Sequence, residues 1–185
     1  MTDVDRSDSR PTFAFVGDSI TASGAWQEWF PDVQAINLGI GGDTTDDVIA
    51  RVDEIIEIKP AVISLLIGTN DLGTRRSVEH LVRNVELLLV TLRRDLPDAA
   101  VLVQSILPRE RNYASRIKDA NRHLWQFAPG AGATWLDLWP VFAEPNGQLK
   151  PEFTVDGVHL NAEGYDAWLE LLRPALAELG INSPQ

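Results

Sequence analysis

The sequence predicts a three-layer α/β fold, a five-stranded parallel sheet with helices on both faces, and two observations predict it. Short apolar runs alternate with longer segments whose apolar residues recur at helical spacing, the pattern of strands joined by crossover helices. The length of 185 residues, with 44% hydrophobic content and no internal repeat, suits one well-buried core and is short for two.

The first run, TFAFVG (12–17), leads through GDS into a short helix about GAWQEWF (24–30). VQAIN (33–37) is the second run, and Val48, Ile49, Val52, Ile55 and Ile56 then mark one amphipathic helix. AVISLLIG (61–68) is the third, followed by a helix on which Val78, Leu81, Val82, Val85, Leu88, Leu89 and Leu92 form a stripe. AVLVQSI (100–106) is the fourth, with a weaker helical pattern over 113–127, and ATWLDL (133–138) is the fifth. A last helix runs from Ala162 to Leu179, with Asn161 as N-cap, Gly180 just past its end, and Pro174 at a kink or restart. Right-handed crossovers then cover the sheet on both faces. One domain is expected over 12–181. Residues 1–11, MTDVDRSDSRP, are polar and lack the apolar stretch of a signal peptide, so they read as a disordered arm.

Charge and composition narrow the function. A net charge of −11 opposes binding to nucleic acid or an anionic membrane surface, both of which need clustered Lys and Arg. No apolar run approaches the roughly 18 residues of a membrane span. The absence of cysteine removes disulfides, thiolate nucleophiles and cysteine-ligated metals. The expectation is a soluble cytoplasmic protein with a small-molecule partner.

In open parallel sheets ligands gather at the carboxyl ends of the strands. Here those ends carry GDS (17–19), NLGIGGD (37–43) and GTND (68–71), and DGVHLN (156–161) precedes the last helix. Ser19 by itself reads first as a helix N-cap. GDSIT is also not the G-x-S-x-G elbow, since Thr21 stands where the second glycine would be. A nucleophilic hydroxyl needs a base and a group that orients the base. Of three histidines, His80 and His123 fall within helical segments as surface or helix-edge residues. His159 stands three residues after Asp156 in a loop, where the carboxylate can reach Nδ1–H and leave Nε2 facing Ser19; the same spacing also suits local turn contacts. Donors for a developing oxyanion are available from Gly41 and Gly42, the Asn70 amide and the Ser19 N–H, although the glycines also suit a tight turn and Asn70 a cap.

Taken together, GDSIT, NLGIGGDTT, GTND and DGVHLN resemble, in order and spacing, the four sequence blocks of the SGNH hydrolase (GDSL esterase/lipase) superfamily. The resemblance covers nearly the whole chain from Phe13 onward. It implies a flavodoxin-like sheet of strand order 2-1-3-4-5, Ser19 as nucleophile, His159 as base and Asp156 as its orienter, with the Ser19 N–H, Gly42 and Asn70 forming the oxyanion hole. NLGIGGDTTDDVIARV and IKPAVISLLIGTND are similar to the platelet-activating factor acetylhydrolase catalytic-subunit branch and its bacterial relatives. That similarity implies short, acetyl-type esters as substrates and admits a homodimer.

The expected activity is serine ester hydrolysis through an acyl-enzyme, with no metal or organic cofactor. A lysophospholipase or acyl thioesterase acting on longer chains is the alternative on the same scaffold, and a non-catalytic ligand-binding module the alternative from another class. A third reading gathers Asp18, Asp43, Asp46, Asp47 and Asp71 around Mg²⁺, but adjacent Asp46 and Asp47 on one helix project in different directions. Asp18, Leu72 and Val158 are the expected substrate contacts, with Leu160 a further pocket wall. Trp26, Trp29 and Trp139 are expected in the core rather than in the pocket.

Overall fold

The computed structural model describes residues 9–180. Residues 1–8, most of the expected disordered arm, and Ile181 lie outside the described residues; within the arm, Arg10 bonds the Pro31 carbonyl and Pro11 O accepts from Gln34 N.

The elements follow one another as β1 (Thr12–Gly17), α1 (Ser19–Ala22), α2 (Trp26–Trp29), β2 (Gln34–Gly39), α3 (Thr45–Ala50), α4 (Val52–Ile58), β3 (Val62–Leu66), α5 (Thr69–Gly73), α6 (Val78–Asp95), β4 (Ala100–Gln104), α7 (Ala114–Phe127), β5 (Thr134–Leu136), α8 (Trp139–Phe142) and α9 (Ala162–Gly180). The strands form one all-parallel sheet of order 2-1-3-4-5. This is the flavodoxin-like order, whose switch point lies between β1 and β3. Strand residues alternate between two cores. Ala14, Val16, Ile63, Leu65, Val101 and Val103 pack with the inner faces of α3, α4, α6 and α7. Phe13, Phe15, Val62 and Leu102 pack with Trp26, Trp168, Leu172 and Leu176 of α2 and α9. Because both faces are covered, the strand runs are near-continuously apolar. The exceptions on the second face are paired, since Gln104 donates to Ser64 Oγ at 3.0 Å and accepts from Trp168 Nε1 at 2.6 Å.

Several elements differ from expectation, beginning with the helix expected after Ser19, which is two, α1 and α2. The single helix expected over 48–56 is two, α3 and α4, broken at Arg51, whose backbone leaves the helical region (φ −115°, ψ 19°). There the guanidinium turns inward to Asp43 at 2.8 Å and the Leu38 carbonyl at 2.8 Å. Two short helices, α5 and α8, occupy stretches too brief to show a period. Pro174 lies inside α9, which continues through it. Pro174 and Glu170 are both exposed, so the carbonyl deprived of its donor faces water.

The carboxyl end of the sheet is tightly built. Gly17 pairs with Gly39 across β1 and β2, and α1 docks directly on both. A Cβ on Gly17 would stand 2.2 Å from Thr21 Oγ1 and 2.4 Å from the Leu66 carbonyl, and one on Gly39 would stand 2.2 Å from Ala22 N. Those two glycines let the helix that begins with Ser19 sit on the strand ends.

Candidate active site

The N-cap of α1 is Asp18, not Ser19. Asp18 Oδ1 accepts from Ile20 N at 2.9 Å and is buried, while Ser19 is the first residue of the helix. The serine hydroxyl is therefore spared the capping role and lies 3.0 Å from His159 Nε2. On the other side of the ring, His159 Nδ1 lies 2.6 Å from Asp156 Oδ2. A carboxylate can only accept, so the shared proton belongs to Nδ1 and Nε2 is left as an acceptor for the serine O–H. The DGVH turn brings its own restraint. Asp156 Oδ1 accepts from His159 N at 2.7 Å and Val158 N at 2.9 Å, and Thr154 Oγ1 donates to the His159 carbonyl at 2.6 Å. The His159 side-chain bond, followed by the Val158 and His159 amides, holds the Asp156 carboxyl well below the usual carboxylate range. The two spacing-based readings of Asp156 and His159, turn contact and imidazole partner, are both realised by one carboxylate using different oxygens.

The oxyanion candidates converge on the same serine. Ser19 N–H lies in the first turn of α1, where a helix has no acceptor of its own. Gly42 adopts φ +86°, a conformation that disfavours any side chain, with open space where a Cβ would stand. Its N–H makes no hydrogen bond among the described residues. Gly41 is close by, its Cβ position 3.9 Å from Ser19 Cβ. Asn70, on α5, donates from Nδ2 to the Asp43 carbonyl at 2.9 Å, which fixes the amide and leaves its second N–H unengaged.

Sequence reasoning missed the residues that hold these donors. Asp43 is ion-paired with Arg51 at 2.8 Å with both side chains nearly buried, so Arg51, Asp43 and Asn70 form a linked chain beside the Gly42 turn. Asp71, fully buried, accepts from Thr45 N at 3.0 Å and Thr45 Oγ1 at 2.6 Å, which ties α5 to the start of α3. Burial pushes the Asp71 carboxyl upward, against those bonds. The only signal in the sequence was a cluster of aspartates. They do not gather around a common point: Asp46 pairs with Arg76 and His80, and Asp47 accepts from Thr44 N and Oγ1. Among the described residues no three His, Asp or Glu side chains are grouped to hold a metal.

Two of the three expected substrate contacts are corrected. Leu72 is fully buried in the core, because residues two apart on a helix face nearly opposite ways and Asn70 takes the rim. Asp18 is 1% exposed and spent on its cap, although burial raises its carboxyl to about 6. Val158 is half-buried in the histidine loop and remains accessible, while Leu160 is buried in the second core. Trp26 is a core residue stacked on Phe15 at 4.2 Å; Trp29 and Trp139 are only half-buried. Behind Ser19, Asp18, Ile20, Leu66 and Ile106 line a cavity of about 10 Å³, room for one water.

A doubly wound sheet with a hydrogen-bonded serine, histidine and aspartate at its carboxyl rim is the architecture of a hydrolase. The chain belongs to the GDSL-like Lipase/Acylhydrolase family, whose sequence profile matches residues 15–167. Over 192 residues it is 31% identical to platelet-activating factor acetylhydrolase IB subunit alpha2 of Rattus norvegicus, covering 98% of this chain and 83% of that one. It is 28% identical over 186 residues to subunit alpha1 of Bos taurus, covering 95% and 79%. A GDSL-like lipase of Bacteroides thetaiotaomicron shares the fold at a TM-score of 0.80 and 23% identity, covering 91% and 88%. Among the described residues no helix is long and apolar enough to cross a membrane.

Proposed function

We propose that this protein is a serine esterase that hydrolyses short-chain, acetyl-type carboxylic esters through an acyl-enzyme. The observation that carries the reading is the continuous chain from Ser19 Oγ to His159 Nε2 at 3.0 Å and from His159 Nδ1 to Asp156 at 2.6 Å. His159 takes the Ser19 proton as the hydroxyl attacks the acyl carbon, and ionised Asp156 steadies the imidazolium. The tetrahedral oxyanion is held by the Ser19 and Gly42 N–H groups and by the free N–H of Asn70. The alcohol leaves with the proton from His159, and a water activated by the same imidazole releases the acid. His159 and Asp156 are about half exposed, so the reacting centre lies on an open rim. The preference for short acyl groups is supported by the likeness to the acetylhydrolase subunits.

Hydrolysis of p-nitrophenyl esters from acetyl to dodecanoyl, with Ser19→Ala as the blank, tests this. Turnover should be greatest for acetyl and absent in the variant. A maximum at long chains would replace the acetyl preference with lysophospholipase or thioesterase activity, and equal rates in the two proteins would remove Ser19 from the reaction.

A further inference from the structure

Between α7 and the edge of β5 lies a cleft of about 340 Å³ that the chemistry at Ser19 does not use. Its size falls within the roughly 300–1,000 Å³ of small-molecule sites. Lys118, Arg122 and Trp125 line it from one face of α7, Trp135 from β5, and Asp137 and Trp139 from the segment just beyond β5. We infer that this cleft is a second ligand site and that it takes a chain of neutral pyranose sugars.

The three indoles carry the argument. Trp125 is 56% exposed, and Trp135 and Trp139 are half-buried. Among the described residues none of the three stacks on another aromatic ring or donates its Nε1–H. The buried pair behave otherwise: Trp26 Nε1 donates to the Thr21 carbonyl at 2.8 Å and Trp168 Nε1 to Gln104. Three N–H donors are thus left open together beside the exposed Trp125 ring, while Trp135 and Trp139 rest partly on the first core; an indole buried for packing alone would have found a partner for its N–H. The polar groups beside them complete a mixed set. Asp137 Oδ1 accepts from Trp139 N at 3.0 Å, which fixes the carboxylate and leaves Oδ2 as a free acceptor. The Lys118 ammonium lies 5.5 Å from the Trp139 ring centroid and has no carboxylate partner among the described residues.

A pyranose ring presents apolar C–H faces and an edge of hydroxyls that both donate and accept. Indole faces cover the first, and Nε1–H, the ammonium and Asp137 serve the second. An acyl chain would strip water from Lys118 and Asp137 without replacing it, a cost no apolar ligand recovers. An anionic ligand would meet Asp137 and a chain of net charge −11, and Arg122 is already paired with Asp119 at 2.6 Å.

The test uses the Ser19→Ala protein, titrated with cellotetraose and with xylotetraose, and followed by calorimetry and the indole N–H resonances. Saturable binding that shifts the Trp125, Trp135 and Trp139 signals is expected. Trp125→Ala should weaken it about tenfold and Trp125→Phe should recover part of the loss, with melting temperatures confirming that both variants fold. Absence of indole shifts with either sugar overturns the inference, as does binding unchanged in Trp125→Ala. Indole shifts that track protein concentration rather than sugar also overturn it, and would assign the face to a second copy of this chain.

Discussion

Asn70 offers the sharpest test of the oxyanion arrangement, because its amide is steered by a single bond to the Asp43 carbonyl. Asn70→Ala should lower kcat for p-nitrophenyl acetate by roughly 10²–10³ with little change in KM, the cost of one lost donor. A near-normal kcat would take Asn70 out of the hole. Asp18 makes the opposite kind of prediction, about stability. Its carboxyl titrates near 6 in the fold against an ordinary value of 3.8, chiefly because burial penalises the ion. The folded protein therefore holds a proton there that the unfolded chain has released, so this contribution to stability is complete below pH 3.8 and disappears as pH rises through 6. Asp18→Asn keeps a capping oxygen without the charge. It should flatten the fall in Tm across that window and raise Tm at neutral pH by about 6–12 °C, read by calorimetry at several pH values. An unchanged pH profile would mean that Asp18 is not the buried titrating group.

At the scale of elements, the site depends on how α3, α5 and the Gly42 turn are bound to each other. Arg51 interrupts what would be one helix and spends its guanidinium on Asp43 and the Leu38 carbonyl. Arg51→Met would leave the Asp43 carboxylate nearly buried and unpaired, at 11% exposure, which costs about 3–5 kcal/mol when a buried pair is broken. Denaturant unfolding should show that loss. Because the Asp43 carbonyl also steers Asn70, kcat should fall alongside stability, whereas the double replacement Arg51→Met with Asp43→Asn should restore part of the stability. If kcat is untouched in Arg51→Met, the link from Arg51 to the Asn70 amide has no functional weight.

For the molecule as a whole, the charge of −11 sets up a field that a charged substrate must cross. At low ionic strength kcat/KM should be higher for an acetyl ester of a cationic alcohol, such as acetylcholine, than for a matched anionic ester. The gap should close as salt rises and the screening length shortens to about 8 Å at 0.15 M. Equal salt dependence for the two esters would show that the field is not felt at Ser19. The same scale separates what could be read from the chain and what could not. The apolar runs and helical periods determined an α/β sheet with helices on both faces, since burial on two faces leaves its mark on every strand. The four polar blocks, through their likeness to a known superfamily, pointed to the strand order and to Ser19, Gly42, Asn70, Asp156 and His159. The break at Arg51, the brief α5 and α8, and the inward turn of Leu72 were not legible. The break at Arg51 and the seating of α5 follow from contacts made in the fold, Arg51 with the Leu38 carbonyl and Thr45 with Asp71. Local periodicity carries no information about which carboxylate a guanidinium will meet. Nor could it tell that Asp18 would cap α1 and leave the Ser19 hydroxyl for His159, 140 residues away. The sequence determined the layers and nominated the reactive groups; the tertiary structure decided which oxygen each donor reaches, because that choice is made only when the sheet brings its strand ends together.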